Sequence, residues 1–209
     1  MPTSKKDLSY ILWSSIFAAA VLWSGTVWAA TSPREVIQTT TDRVVSVFQD
    51  SPSHNGAQDQ KRLEKMWETV LPSFDTEEIA RRALGGHWNT LTREQRQYFT
   101  QLFTQLVQQN YNHTIEQYLS DAQFSIDQER IEGDFAEVQT RIQMASPKKS
   151  LSITYRLHHA SGRWLVYDVL VDRISMVRNY RAQFRRLLHN SSYEGLVRAL
   201  EEKLHELAS

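Results

Sequence analysis

The chain of 209 residues carries 24 basic and 24 acidic side chains, is 41% hydrophobic and contains no cysteine. The missing cysteine excludes disulfides, thiolate nucleophiles, cysteine metal sites and a lipidated N-terminal cysteine. The even charge leaves no electrostatic footprint for nucleic acid, so none is expected as a partner.

Lys5 and Lys6 head an apolar run over 8–27 that only Ser9, Ser14, Ser15, Ser24, Gly25 and Thr26 interrupt. Val27 and Ala29 then stand third and first before a signal-peptidase cut, so 1–29 is expected to be a cleavable signal peptide and 30–209 one domain. An uncleaved membrane anchor is the rival reading, because the run is almost long enough to span a bilayer. The serines, the glycine and the small-residue exit favour cleavage. Without Lys5, Lys6 and Asp7 the mature chain is one negative charge from neutrality.

Ser32-Pro33 opens the first helix, with serine as N-cap and proline in the first turn; Val36, Ile37, Val44, Val47 and Phe48 mark its apolar face to about Asp50. The stretch 51–57 is rich in helix breakers and reads as a loop. A second amphipathic helix over 61–70 carries Leu63, Met66, Trp67 and Val70. Leu71-Pro72-Ser73-Phe74 ends it, and Asp75 caps a short helix with Glu78 in the capping-box position. Gly85-Gly86 stops that helix. Thr92 starts the longest helix, which runs to about Leu119 and spans roughly 40 Å. Its face is Phe99, Leu102, Phe103, Leu106, Val107, Tyr111, Ile115, Tyr118 and Leu119.

From Gln123 the period drops to two. Phe124 and Ile126 alternate with polar neighbours, and Gly133-Asp134 marks a turn. Val138, Thr140, Ile142 and Met144 point one way along the next strand, Ser146-Pro147-Lys148-Lys149 is a hairpin connection, and Leu151, Ile153, Tyr155 and Leu157 alternate after it. Ser161-Gly162 is a further turn. These strands have one dry and one wet face. The strand over 164–171 is apolar on both faces except for Asp168, so it needs cover on each side. Two C-terminal helices follow, one faced by Ile174, Val177, Phe184, Leu187 and Leu188, the other by Leu196, Val197, Leu200, Leu204 and Leu207. The expected fold class is α+β, with several helices wrapped on a twisted antiparallel sheet of about four strands.

Chemistry is sparse. His54, His87, His113, His158, His159, His189 and His205 never present two imidazoles on one helical face, so no metal is expected. No nucleophile elbow, phosphate-binding loop or dinucleotide fingerprint occurs. An unfamiliar site of scattered carboxylates stays open. Asp168 is conspicuous, because an unpaired charge in a dry strand is costly. A structural ion pair of Asp168 with Arg181, or with Arg173, is expected to tie the strand to the next helix.

Phe74-Asp75, then Ala83-Leu84-Gly85, Trp88, Thr92 with Gln95, Phe99 and Phe103, and later Tyr111 and Tyr118 form one pattern. A second runs from Gly162 through Trp164-Leu165-Val166-Tyr167-Asp168-Val169 to Ile174 and Asn179-Tyr180-Arg181-Ala182-Gln183-Phe184. Together they resemble the MlaC family, also called the toluene-tolerance auxiliary family, over nearly all of the mature chain. Arg173 stands where a glycine is common in that family. The resemblance implies a cystatin-like or NTF2-like sheet wrapped by helices, with an apolar cavity between them for phospholipid acyl chains. It also implies a periplasmic carrier, without catalysis, that shuttles phospholipid between an outer-membrane lipoprotein–porin complex and an inner-membrane ABC transporter complex and so maintains outer-membrane lipid asymmetry. No cofactor is expected beyond bound phospholipid as cargo, and the expected state is a monomer.

On this reading the lipid-binding wall takes Val138, Ile142, Ile153, Tyr155, Trp164, Val166 and Val169 from the strands. From the helices it takes Phe99, Phe103, Leu106, Tyr111, Val177, Tyr180 and Phe184. Three other readings stay open: a carrier of another lipid such as a hopanoid, a hydrolase of hydrophobic esters, and an interaction domain with a filled core.

Overall fold

Reciprocal caps fix where the helices begin. Ser32 Oγ accepts from Glu35 N at 3.1 Å while Glu35 Oε2 accepts from Ser32 N at 2.9 Å, which opens α1 (Pro33–Gln49). Thr92 and Gln95 repeat the exchange at 3.2 and 2.9 Å ahead of α4 (Arg93–Leu119). Asp75 caps α3 (Thr76–Leu84) by accepting from Glu78 N at 2.9 Å. Gly85 ends α3 at φ 61° and ψ −131°, a combination that only glycine adopts readily.

The structure is a computed structural model that describes residues 31–49, 56–119, 123–143 and 150–208. The expected signal segment 1–29, the loop residues 51–55, Met144 and the hairpin connection 146–149 lie outside the described residues, as do the side chains of His113, Tyr118 and Leu119. The second helix, α2 (Gly56–Val70), begins earlier than its apolar periodicity indicates. Gly56 and Ala57 therefore belong to helix and not to loop. Its first turns are polar and supported by an Arg62–Asp59 pair at 2.7 Å, a stabilisation that hydrophobic period does not register.

Five antiparallel strands follow in meander order: β1 (Gln123–Glu132), β2 (Phe135–Gln143), β3 (Ser150–Ala160), β4 (Arg163–Val171) and β5 (Ile174–Ser175). The expected count of about four rises by one because Ile174 and Ser175 pair back onto Val171 and Leu170. Helices α5 (Met176–Asn190) and α6 (Tyr193–Ala208) close the chain.

The strand over 163–171 resolves its own puzzle with a bulge. Leu157 faces Val166 and Arg156 faces Asp168, which leaves Tyr167 as an extra residue. The alternation therefore resets. Val166 and Val169, three apart, share one face of the sheet, while Asp168 and Leu170 share the other. A second bulge at Asp127 does the same to β1.

Among the described residues the buried apolar side chains gather in three clusters. The first joins α3, α4, α5 and α6 through a ring cluster in which Phe103 lies 5.7 Å from Phe99, 4.8 Å from Tyr180 and 5.2 Å from Phe184. The second sets Ile37 of α1 against Ala136, Val138, Leu157 and Val166 of the sheet. The third packs Val44, Val47 and Phe48 of α1 on Leu63 and Met66 of α2. The opposite face of the sheet is wet and charged over β1 to β3, with Arg141–Asp127 at 2.8 Å and Arg156–Glu137 at 2.8 Å, while under β4 it is covered and buries Leu165, Asp168 and Leu170.

Asp172 and Arg173 make the turn between β4 and β5 with φ of 45° and 69°, a left-handed pair built without glycine. Relieving it at Arg173, whose side chain is exposed, is expected to stabilise the fold. The Arg173→Gly variant should gain about 0.5–1 kcal/mol, read as a rise in the urea midpoint at unchanged slope.

Candidate functional site: an apolar cavity between sheet and helices

Where the three clusters meet they leave a cavity of about 510 Å³. Helix α1 contributes Ile37, Thr40, Thr41 and Val44, and α2 contributes Met66, Trp67 and Val70. The connection to α3 adds Leu71, Ser73 and Phe74, α3 itself Thr76 and Ile79, and one side of α4 Phe103, Thr104, Val107, Gln108, Tyr111, Thr114 and Ile115. The sheet supplies Phe124, Ile142, Leu151, Ile153, Tyr155, Val166, Val169 and Val171. Asp172, Ile174, Met176 and Asn179 complete the lining from the β4–β5 turn and the start of α5. Among these described residues Asp172 alone is charged.

The lining also tells where the cavity opens. Asp172, Ile174 and Asn179 are its exposed members, with Ile174 at 69% exposure, so the mouth lies beside the β4–β5 turn. At the other end Val138, Leu157 and Val166 are fully buried and seal it.

Several polar atoms in and behind the wall are paired within the protein. Thr40 Oγ1 and Ser73 Oγ share a bond of 2.8 Å, Thr140 Oγ1 donates to Ile153 O at 3.3 Å, and Trp67 Nε1 donates to Asn112 Oδ1 at 2.7 Å. The Tyr155 phenol also bonds Thr140, yet burial in the wall dominates and pushes it up to about 12 from its ordinary 10.0. Tyr111 is raised as well, by burial first and by the charge of Asp168 second. Such a site can hold apolar chains in a dry slot, and its described residues offer a buried anion no cation.

Of the strand residues expected in the wall, Ile142, Ile153, Tyr155, Val166 and Val169 line the cavity, whereas Val138 and Trp164 belong to the packed sheet cluster beyond its sealed end. Of the helical ones, Phe103 and Tyr111 line it. Phe99, Leu106, Val177, Tyr180 and Phe184 instead fill the core between the helices, where the rings find each other. The contribution of α1 and α2 was not anticipated. Their apolar faces look alike in sequence whether they meet a core or a cavity.

The expected Asp168–Arg181 pair is corrected. Tyr167 turns Asp168 to the face away from the cavity, and the tight turn into β5 delivers the first residues of α5 onto its carboxylate. Asp168 accepts from Ser175 Oγ at 2.7 Å and from Val177 N at 3.1 Å, and Arg156 stands 3.6 Å away. The carboxylate thus closes the positive end of α5. Arg181 lies across Gly85, where an added Cβ would meet its Nε at 3.1 Å. The alternative partner, Arg173, stands exposed in the turn. His158 Nε2 binds Asp75 Oδ2 at 3.0 Å, and no group of three or more metal-capable side chains occurs among the described residues. No helix among them is long and apolar enough to cross a membrane.

Comparison with known proteins agrees with this geometry. The family model described as MlaC protein matches residues 38–202. The intermembrane phospholipid transport system binding protein MlaC of Haemophilus influenzae is 26% identical over 188 residues, covering 88% of this chain and 87% of that protein. A solved structure of the phospholipid-binding protein from Ralstonia solanacearum, in complex with a phospholipid, superposes with a TM-score of 0.75 at 21% identity, over 83% of this chain and 97% of that one. That likeness is one of fold.

Two outcomes follow from the site chemistry. Asp168→Ala strips acceptors from a buried hydroxyl and a helix N–H and should cost about 2–4 kcal/mol in urea unfolding. Folded Tyr155 keeps a proton that the unfolded chain releases at its ordinary value, so its share of stability is intact below that value and falls as pH rises toward about 12. Between about pH 9 and about pH 11.5 the Tyr155→Phe variant should therefore lose about 2 kcal/mol less stability than the parent.

Proposed function

The chain belongs to the MlaC family, and from that we propose that it is a periplasmic phospholipid carrier. It shuttles lipid between an outer-membrane lipoprotein–porin complex and an inner-membrane ABC transporter complex, helps maintain the lipid asymmetry of the outer membrane, and catalyses no reaction. Residues 1–29 serve for export and are cut near Ala29, and 30–209 form one lipid-binding unit. The observation that carries the reading is the apolar cavity of about 510 Å³ whose charged lining residue stands at the mouth. The relatives support the cargo, one by its transport system and the other by its bound phospholipid.

The physics suits a shuttle. Two acyl chains of about sixteen carbons, at roughly 0.8 kcal/mol per buried CH₂, gain about 25 kcal/mol over water. A bilayer solvates the same chains equally well, so the carrier and the membrane are closely matched while escape into water is very slow. Unloading then requires a partner that offers a continuous apolar path. The headgroup stays at the mouth, beside Asp172 and Asn179, because the described residues of the wall hold no cation for a buried phosphate.

Organic extraction of the purified protein followed by mass spectrometry is expected to recover two-chain phospholipid at close to one per protein. Recovery of a hopanoid or another non-phospholipid alone, or of a protein free of lipid, would overturn the assignment.

A further inference from the structure

The cavity has a direction. On β3 the residues Leu157, Tyr155, Ile153 and Leu151 point to the same face in a line about 20 Å long. Leu151, Ile153 and Tyr155 line the cavity, and Leu157 lies beyond it, fully buried. Leu157 pairs with Ala136 on β2 and with Val166 on β4, and Ile37 of α1 packs over that row. Val166 is the member of the row that both lines the cavity and has no exposed surface. From Val166 the slot runs to the mouth at Asp172 and Ile174.

We propose that Val166, backed by Leu157 and Ala136, is the stop that sets the length of the acyl chain this protein accepts. The inference rests on the phospholipid-carrier reading and adds its specificity determinant. A shorter chain leaves wall area uncovered. A longer one meets a row packed at crystal-like density, so its surplus methylenes must stay at the wet mouth. Each methylene kept out of the dry slot lowers affinity about fourfold.

The row is held from outside the sheet, and that makes it a stop. Phe74 forms an isolated parallel bridge to Val166, and Asp75 N donates to Val166 O at 2.9 Å. Asp75 is itself fixed as the cap of α3 and as the partner of His158. Backbone on both edges, β3 at Leu157 and the segment Phe74–Asp75, therefore keeps Val166 in place, and the depth of the slot is governed by its side chain.

The test compares phospholipids that co-purify with the full chain and its variants from one expression strain, with acyl chains read by mass spectrometry. Val166→Ala should raise the ratio of longer to shorter chains, compared at a two-carbon interval, by roughly tenfold, and Val166→Leu should shift it the other way. Leu200→Ala, a core deletion away from the cavity, should leave the distribution unchanged. If all variants carry phospholipid with the parent's chain distribution, the stop is overturned and the carrier reading stands. An equal shift in Leu200→Ala assigns the effect to loosening and overturns it too. A lipid-free parent removes the carrier reading and this inference with it.

Discussion

The constraint on which the rest of the structure depends is that its three apolar clusters touch without fusing. Each is closed by its own geometry: rings interlocked between helices, Ile37 against the sheet, and the α1–α2 pair. The elements that connect them are shared. Helix α4 gives Phe99 to Leu106 to one cluster and Ile115 to another, and α1 gives Ile37 to the sheet and Val44 onward to α2. A 27-residue helix is too stiff to bend into all three, so an apolar gap remains at their junction. The cavity is what the lengths of the elements leave over, and its dryness follows from the walls already being hydrophobic cores.

Strand β4 binds the two halves. One face closes the cavity with Val166, Val169 and Val171, while the other face carries Asp168 in a cross-strand charge series with Arg156 and Glu137. Asp168 is 3% exposed, yet both of its close bonds run forward to the start of α5. The buried charge is tolerable because it is satisfied by a helix end and a hydroxyl with a guanidinium close by. It orients the helical core on the sheet, and the floor of the cavity with it.

Much of this was legible in the sequence where one rule acted alone. Caps at Ser32, Asp75 and Thr92 announce their helices, and the alternation in β2 and β3 sorts wet from dry without ambiguity. Legibility failed where two arrangements share one pattern. In 164–171 apolar residues stand on both faces, so nothing marks the extra residue at Tyr167. The partner of Asp168 was missed for the same reason, because Ser175 and Val177 come into reach only through that bulge and the turn after it. Tyr180 and Phe184 read as wall since a helical face looks the same against a void or a neighbour. The aromatic spacing offered one missed hint: Phe99, Phe103, Tyr180 and Phe184 each sit one turn from another ring, which favours ring-on-ring packing over contact with a flexible chain.

The bulge at Tyr167 makes position along β4 a matter of counting. Upstream of it even-numbered residues stand on the cavity's face of the sheet, downstream odd-numbered ones do, and the single surplus residue holds the two halves in phase. Apart from Val166 and Asp168, the apolar positions of this strand can exchange valine, leucine and isoleucine on either side without loss of the fold. Its length is not free to change. Gaining or losing one residue between Trp164 and Val169 would roll Asp168 into the dry slot or strand the start of α5 without its acceptor. Over this segment the lineage is bound to keep the number of letters as well as the acid at Asp168, so that divergence should proceed here by exchange of one apolar side chain for another and never by insertion or deletion.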